Sequence, residues 1–534
     1  MLETIRLLVL LLAVVAAVAV LASRLKTPPA ILLVITGVAL ALTPGLPRLE
    51  LSPDVVLLIV LPPLIYSAAV RMSWREFRLN LPPIALLAVG GVVFTTLAVA
   101  AATHWLLGFS WPLGILAGAI VSPPDALAPL SIARQLHLPR RLAAILEGEG
   151  LANDAAALVL YRFAVAAVSV GGFSVSQASG TFAAIVVGEA LWGAAVGWTM
   201  LRLRRWTADP SIEILLSVLT PFIAYWPPEQ VGGSGVLAAV AAGLYVSWNG
   251  PRLIGATTRI QGVFFWRVLT YLIEAMVFLA TGLQAHRLIA ATGLYPASEL
   301  ALSAGLVTAV VIAARFVWIF PATYPPRWLI PPIRRKDPTP PWQEPFLLSF
   351  TGIRGVVSLA AALAIPDLTQ AGDPFPHRDL ILFLTFCVIL VTLVGQGLML
   401  PGMIGWLGLA KVGRQEARDA LTEETVARRL GLEASAARLE QLAAKHRLSD
   451  EMLKPLQAQI QSRRQALNRQ AGRLPVGADA ARLHDDIALA LVVAERQAVN
   501  ALARQGQLQD PQRLLIEREL DLREAHIANL RGDT

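Results

Sequence analysis

The fold is decided by the segment VSPPDALAP at residues 121–129, which lies inside a long apolar stretch. Pro123 and Pro124 have no backbone N–H to donate, so a helix that runs through them loses hydrogen bonds. In a lipid bilayer, irregular backbone is tolerated only against protein or a water-filled cavity. The segment therefore predicts two half-helices separated by an unwound centre, with Asp125 at that centre.

The composition of the chain identifies the surroundings of this segment as a membrane. Of the 534 residues, 55% are hydrophobic and 15% are charged, whereas soluble domains carry roughly 25% charged residues. The apolar residues form blocks close to the ~20 residues that cross a hydrocarbon layer as a helix. Thirteen blocks follow one another, at residues 4–23, 29–45, 54–70, 82–107, 112–133, 142–170, 180–201, 211–227, 235–249, 262–284, 296–322, 345–366 and 379–408. The sequence predicts an all-α polytopic membrane protein with about 13 transmembrane helices.

Lysine and arginine residues between the blocks predict the orientation of the chain. The joints after odd-numbered blocks hold seventeen of them: Arg24, Lys26, Arg71, Arg75, Arg78, Arg134, Arg140, Arg141, Arg202, Arg204, Arg205, Arg252, Arg259, Arg327, Arg334, Arg335 and Lys336. The opposite side holds four: Arg6, Arg48, Arg287 and Arg378. Cytoplasmic loops carry the excess of positive charge. We therefore expect the N-terminus outside and the C-terminus in the cytoplasm.

The last part of the chain differs from the rest because no run in it is apolar enough to span a bilayer. Segments such as DPQRLLIERELDLREAHIANL have the apolar spacing of amphipathic helices. Acidic and basic residues are intermingled there, so the net charge of +8 does not indicate a nucleic-acid partner. We predict a membrane-embedded domain at residues 1–410 and a cytoplasmic helical tail at residues 411–534. The tail is either regulatory or a passive extension.

A second interruption is predicted in the twelfth block, at TGIRGVVS (351–358), where Gly352 and Gly355 flank Arg354. It lies seven blocks after the first interruption, and an odd offset reverses orientation, as two inverted repeats require. Paired interrupted spans point to a transporter binding site near the middle of the bilayer. The ends of the half-helices carry partial charges, so we expect Asp125 to offset the positive ends and Arg354 the negative ends.

The sixth block contains EGEGLANDAAALV (147–159), whose acidic residues are costly in lipid and are therefore functional candidates. Helical spacing allows Asp154 to point at the first interruption, near Asp125, and allows Asn153 to hydrogen-bond the unwound backbone. With the hydroxyl of Ser122, these groups form an all-oxygen site for a hard cation. No His or Cys is close in sequence, which disfavours zinc.

The remaining buried charges predict a mechanism and several ion pairs. A proton and a cation compete for the same carboxylate, and two bare buried anions are too costly to move across the membrane. That competition gives obligatory exchange. Glu149 is the expected anionic partner of Arg354, and Arg162 is expected to contact Glu147. Structural roles are expected for three further charged residues: Glu189, Glu274 and Arg315.

These residues resemble bacterial sodium/proton antiporters of the monovalent cation–proton antiporter family, the branch that includes animal sodium/proton exchangers. The resemblance covers essentially all of residues 1–410. It is carried by LPPLIYSAA (61–69), VSPPDALA, LEGEGLANDAAALVLYRFA, TPFIAYWPPEQVGGSGVLAAVAAGLY, LIEAMVFLATGLQ, ARFVWIFPATY, GIRGVVSLAAALAIP and DLILFLTFCVILVTLVGQGLMLP.

The resemblance implies thirteen spans in two inverted repeats, with a core bundle (blocks 4–6 and 11–13) that moves against a dimerisation bundle. It implies exchange of Na⁺, or of Li⁺ or K⁺, for H⁺ by a homodimer in the bacterial inner membrane, without a cofactor. Asp154 would be the main carrier, Asp125 would assist, Asn153 would hold the broken helix and Glu149 would pair with Arg354. The Asn–Asp pair is associated with electroneutral exchange.

Four positions depart from the family pattern and reduce the number of oxygen ligands. The usual Thr before the first Asp is Pro124, and the Pro after it is Ala126. The usual Ser four residues before the second Asp is Gly150, and the acidic residue of the third-span motif is Ser67. The choice of ion and its affinity are therefore open.

Two alternative functions remain at this point. Two buried Asp residues also form the dyad of intramembrane aspartyl proteases, although the Gly-x-Gly-Asp pattern of that class is missing and a protease does not need a second broken helix. A membrane sensor with a vestigial ion site would explain the lost ligands. Transport, without enzymatic activity, is the function that the sequence favours.

Overall fold

The computed structural model describes residues 2–25, 27–43, 52–126, 129, 130, 132, 136–170, 175–207, 209–286, 296–331, 335, 337–369, 372–446, 449–471, 478–505 and 510–531. Part of the predicted interruption (Leu127 and Ala128) lies outside these residues, as do Lys26, Arg48, Arg134, Arg287, Arg334 and Lys336 of the orientation argument. The chain divides into two compact units, Met1–Arg414 and Gln415–Thr534.

The described part of the first unit is mostly helical. Its first eight helices are α1 (Leu2–Leu25), α2 (Pro29–Ala41), α3 (Leu61–Arg71), α4 (Trp74–Leu79), α5 (Leu81–Ala85), α6 (Val92–Leu107), α7 (Trp111–Val121) and α8 (Arg140–Val170). Single π-helical segments, Val55–Val60 and Leu86–Gly91, lead directly into α3 and α6. Proline is tolerated at the start of α2, α5 and α7, where the missing N–H has no partner within the helix.

The second half of this unit repeats the pattern of long and broken helices. It contains α9 (Val175–Arg204), α10 (Pro210–Gln230), α11 (Val236–Leu253), α12 (Ala256–Leu283), α13 (Ala297–Leu329), α14 (Gln343–Phe350), α15 (Val356–Leu363), α16 (Arg378–Leu390) and α17 (Gly397–Trp406). A π-helical segment, Val391–Gln396, joins α16 to α17. Within the described residues, each of the thirteen predicted blocks corresponds to a helix or to a broken helix.

Length and composition alone qualify seven of the described helices as membrane spans. Three shorter apolar helices (Pro29–Ala41, Val55–Arg71 and Trp111–Val121) are added to them. The long helices expose large apolar side chains, for example those of Leu191, Phe264 and Leu302. An apolar exterior suits contact with lipid, and the unit is a polytopic membrane domain as predicted.

Glycines allow the helices of this unit to approach one another closely. A Cβ atom on Gly37 of α2 would overlap the backbone of Leu279 and Gly282 in α12, and one on Gly118 of α7 would overlap the backbone of Thr96 in α6. Small residues at helix contacts are typical of membrane proteins, where close packing takes the place of the hydrophobic effect. The helices beside the broken segments are therefore held at short range.

The second unit consists of helices that are polar on most of their surface. The helices are α18 (Leu409–His446, which begins in the first unit), α19 (Asp450–Ala471), α20 (Ala478–Arg504) and α21 (Asp510–Arg531). Arg496 of α20 forms ion pairs with Asp521 and Glu524 of α21, at 2.8 and 2.6 Å. The predicted helical character of the tail is confirmed.

Candidate functional site

The predicted unwound centre of the fifth span is present. α7 ends at Val121, and residues 122–126 are not helical. We call these five residues the first break. The backbone N–H of Asp125 donates a hydrogen bond to the carbonyl of Ile353, 2.7 Å away, rather than to its own helix. The first break is therefore held by another span.

That span is the twelfth, which is broken as predicted. α14 ends at Phe350 and α15 begins at Val356, so residues 351–355 form the second break. A Cβ atom on Gly355 would overlap the carboxylate of Asp125. The glycine thus lets Asp125 lie directly at the N-terminal end of α15. Because that end carries a partial positive charge, the carboxylate is stabilised there.

Arg354 satisfies carbonyl groups that the first break exposes. Its side chain is 1% exposed. Its Nε donates to the carbonyl of Val121 at 2.8 Å and its Nη2 donates to that of Ser122 at 3.2 Å; Nη1 donates to the carbonyl of Gly352. The last carbonyls of a helix have no partner within it. The guanidinium therefore caps the negative end of α7, as expected from the helix dipoles.

Glu149 pairs with Arg315 and not with Arg354, which corrects the predicted ion pair. Arg315 Nη1 and Nη2 contact Glu149 Oε1 and Oε2 at 2.6 and 2.8 Å, and the side chains are 7% and 2% exposed. The physical reason is that the donors of Arg354 are directed at the carbonyls of the two breaks. Arg315 Nε also donates to the carbonyl of Leu348 in the last turn of α14, at 3.0 Å.

Each broken helix thus has its own buried arginine at the C-terminal end of its first half. Sequence reasoning assigned Arg315 only a structural role and missed this parallel with Arg354. A signal for it existed, since two breaks leave two sets of unpaired carbonyls, and Arg315 is a second arginine inside a core span beside Arg354. Both guanidinium groups are engaged in holding the scaffold.

Asn153 and Asp154 meet the first break from α8. The Asn153 Nδ2 donates to the carbonyl of Pro124 at 2.6 Å, and the Asn153 side chain is fully buried. Asp154 and Asp125 line one cavity of about 290 Å³. The structure therefore brings both carboxylates to the same space beside the crossing point of the two breaks.

Four further charged residues line this cavity: Arg71, Glu147, Arg267 and Glu274. Glu147 was expected to contact Arg162, but Arg162 forms an ion pair with Glu229 of α10 instead. The reason is the length of α8, on which the two residues lie four helical turns apart. Arg267, inside α12, was not singled out from the sequence at all.

The predicted ligand Ser122 is not among the residues that line the cavity. Its hydroxyl donates to the carbonyl of Ala119 at 3.2 Å, within the last turn of α7. The Ser67 hydroxyl likewise donates to the carbonyl of Leu64 in α3, at 3.0 Å. Both hydroxyls satisfy backbone groups of their own helices.

The departure at Gly150 has a packing explanation. A Cβ atom there would lie 2.6 Å from the Cβ of Ala126. α8 therefore passes the first break too closely at this point for a side chain on Gly150. Gly150 replaces the usual Ser of the family and Ala126 replaces the usual Pro, and these two positions are in contact.

Glu189 has the structural role that was expected. Its carboxylate accepts hydrogen bonds from the backbone N–H groups of Ser234, Gly235 and Leu237, at 2.6, 3.1 and 3.1 Å. It caps the N-terminal end of α11, where an anion is favourable.

Two broken helices that cross beside a cavity lined by the carboxylates of Asp125 and Asp154 define the class of the protein. Interrupted spans with exposed backbone ends near the bilayer centre are the ion and substrate sites of secondary transporters. The protein is therefore a polytopic membrane protein with the architecture of a secondary transporter.

The chain belongs to the sodium/hydrogen exchanger family. The family's sequence model, described as "Sodium/hydrogen exchanger, transmembrane", matches residues 9–406 of this chain. Members are transporters and not enzymes, so the intramembrane protease alternative is wrong.

Several relatives and a solved structure are similar to this chain. An uncharacterised Na⁺/H⁺ exchanger of Mycobacterium tuberculosis is 33% identical over 97% of this chain and 96% of the relative. The "Sodium, potassium, lithium and rubidium/H(+) antiporter" of Bacillus subtilis is 32% identical over 70% of this chain and 57% of the relative. The sodium proton antiporter MjNhaP1 from Methanocaldococcus jannaschii has a similar fold, with a TM-score of 0.61 at 20% identity, over 77% of this chain and 97% of that one.

Proposed function

We propose that the protein exchanges a monovalent cation for H⁺, with Asp154 as the main carrier and Asp125 as its assistant. Na⁺ is the first candidate, and Li⁺ and K⁺ are the others. The observation that carries the proposal is the shared cavity of the two carboxylates at the crossing point of the breaks. Asn153 holds the first break in place through the carbonyl of Pro124.

The charges around the cavity support the binding of one positive charge at a time. Glu147 and Glu274 are formally balanced by Arg71 and Arg267, which leaves the charges of Asp125 and Asp154. Asp125 is stabilised at the positive end of α15. Asp154 then needs either a proton or a cation before the site can move, and one-for-one exchange is electroneutral.

The proposed topology puts charged lining residues of the cavity toward the cytoplasmic side. Arg71 is the last residue of α3, and Glu147 precedes Asp154 by two turns of α8. With the N-terminus outside and the C-terminus in the cytoplasm, Arg71 and Glu147 both lie toward the cytoplasm.

We further propose a homodimer in a bacterial plasma membrane, with residues 1–410 as the transport domain and residues 411–534 as a regulatory tail.

The test is exchange by the purified full-length protein in liposomes that contain a pH-sensitive dye. After a proton gradient is imposed, Na⁺, Li⁺ or K⁺ is added and recovery of the dye signal is recorded. Because the name of the Bacillus subtilis relative includes four alkali cations, Rb⁺ belongs in the series. Clamping the membrane potential and then releasing it tests electroneutrality.

The variant Asp154→Asn is expected to abolish exchange, and the matched control is Asp367→Asn. Asp367 is 85% exposed and lies outside the cavity, so its variant is expected to exchange like the unchanged protein. An unchanged protein that exchanges none of the four cations contradicts the proposal and favours the sensor alternative. If removal of residues 415–534 shifts the pH dependence of exchange but does not abolish exchange, the tail is regulatory.

A further inference from the structure

One buried hydroxyl in the cavity is not explained by the scaffold. Ser358 is 2% exposed, and its Oγ has no hydrogen-bond partner among the described residues. It lines the cavity together with Asp125 and Asp154. Buried polar groups in proteins nearly always have a partner, so this hydroxyl is available to an ion or molecule that enters the cavity.

The position of Ser358 in its helix explains why the backbone does not satisfy it. Hydroxyls inside helices usually bond to a carbonyl one turn earlier, as Ser349 does with Pro345 at 2.8 Å. Ser358 is the third residue of α15, so the residue one turn earlier, Arg354, belongs to the second break. The break thus leaves the hydroxyl available for another partner.

The same geometry directs Ser358 toward the acidic pair. Residues three apart on a helix share a face, and Ser358 follows Gly355 by three positions. Gly355 is the residue against which the Asp125 carboxylate lies. The Ser358 hydroxyl is therefore on the Asp125 side of α15.

The two serine hydroxyls and the position of the family serine that the sequence suggested as oxygen sources do not supply a ligand. The hydroxyls of Ser122 and Ser67 bond to carbonyls of their own helices, and Gly150 has no room for a side chain because of Ala126. Hard cations require several oxygen ligands. The second broken helix offers the hydroxyl that the first broken helix and α8 lack.

We propose that Ser358 Oγ is a ligand of the cation held by Asp125 and Asp154 and helps to determine which cation is transported. This inference depends on the proposed exchange function. A hydroxyl can accept as well as donate: its lone pairs bind the cation when the site is loaded, and its O–H donates to a carboxylate oxygen when the cation has left. Its removal should therefore weaken cation binding more than it slows the movement of the loaded protein.

The experiment measures the apparent KM and the maximal rate for Na⁺, Li⁺ and K⁺ with full-length protein in liposomes. Ser358→Ala is expected to raise the KM for Na⁺ by about tenfold, the effect of losing one good polar contact, with a maximal rate within about twofold of the unchanged protein. The effect should be largest for Li⁺, because a smaller ion lies closer to the oxygen. Ser358→Thr retains the hydroxyl and should restore the KM.

The matched control is Ser349→Ala, which removes a buried hydroxyl from the other half of the same broken helix. Its hydroxyl already bonds to the carbonyl of Pro345, so the KM is expected to stay unchanged. Ser358→Cys serves if the alanine variant does not fold, because sulfur has a similar shape but is a poor ligand for hard cations; it too should raise the KM.

The outcomes separate this inference from the exchange function. If the unchanged protein exchanges Na⁺ and Asp154→Asn does not, but Ser358→Ala and Ser358→Cys both keep the KM for all three cations, Ser358 is not a ligand and exchange stands. If the alanine variant lowers only the maximal rate, the hydroxyl has a structural role and the inference is overturned. If the unchanged protein exchanges no cation, the exchange function itself fails.

Discussion

Removing one member of the buried pair between Arg315 and Glu149 is predicted to destabilise the protein strongly. Arg315→Met leaves a carboxylate that is 2% exposed without its counter-charge. Removing one partner of a buried pair costs about 3–5 kcal/mol. The lost bond to Leu348 adds about 1 kcal/mol, since the Thr351 hydroxyl still donates to the same carbonyl at 3.1 Å. We therefore expect a loss of roughly 4–6 kcal/mol.

The double variant Glu149→Met with Arg315→Met should recover most of that loss. Replacing both members of a buried pair by apolar side chains is often neutral or stabilising. Glu149→Gln alone should cost less than Arg315→Met, because the amide oxygen still accepts from the guanidinium. The measurement is the midpoint of thermal unfolding of the protein in detergent, which is monitored by size-exclusion chromatography with fluorescence detection.

The control for this series is Asp367→Asn. Asp367 pairs with Arg378 at 3.2 Å but is 85% exposed, and exposed pairs contribute little. We expect an unchanged midpoint. Two results would refute this reasoning. One is that the single variants of Glu149 and Arg315 melt like the unchanged protein. The other is that the double variant loses as much stability as the two single variants together.

Two further predictions concern the close approach at the breaks and a contact outside them. Gly355→Ala places a Cβ atom on the Asp125 carboxylate and is expected to abolish exchange in liposomes, whereas Gly305→Ala, with open space around it, should leave exchange unchanged; equal rates for the two variants would contradict this. Arg162→Glu and Glu229→Arg each place like charges together between α8 and α10, which are expected to lie in different bundles. Each should slow exchange, and the double charge swap should restore it; a double variant no faster than the single ones would rule out this contact.

The sequence predicted the two breaks because their causes are local. Pro123 and Pro124 remove N–H groups from the fifth span, and Gly352 and Gly355 weaken the twelfth span at the corresponding position. The hydrogen bond from Asn153 to the unwound backbone could also be predicted from the sequence. Helical spacing fixes which side chains of a span lie at the same height as the break. The prediction of the two breaks required no knowledge of which helices are neighbours.

The pairing of buried charges could not be obtained in the same way. Glu149 had two buried arginines as possible partners, and spacing along the chain does not tell which one is nearer. Arg354 is occupied by the carbonyls of Val121 and Ser122, a fact that depends on how the two breaks cross. The pairing of Arg162 with Glu229 likewise depends on a contact between helices distant in sequence.

The sequence did not predict which serine hydroxyl lines the cavity, for a related reason. Ser122 was the expected oxygen because it is adjacent to the first break in sequence, but the last turn of α7 offers it a carbonyl. Ser358 was not considered because it lies on the other broken helix. Only the crossing of the breaks brings it to the cavity with Asp125.

The competition of H⁺ and a cation for Asp154 is tested most directly by the apparent KM for Na⁺ as a function of pH. The pH is kept equal on both sides of the liposome membrane, and Na⁺ exchange is followed with a radioactive tracer. Each fall of one pH unit raises the proton concentration tenfold, so competition predicts that in the acidic range the KM for Na⁺ increases by a factor that approaches about ten per pH unit. The maximal rate at saturating Na⁺ should stay nearly constant over that range. A KM independent of pH, or exchange at the unchanged rate in Asp154→Asn, would contradict the account.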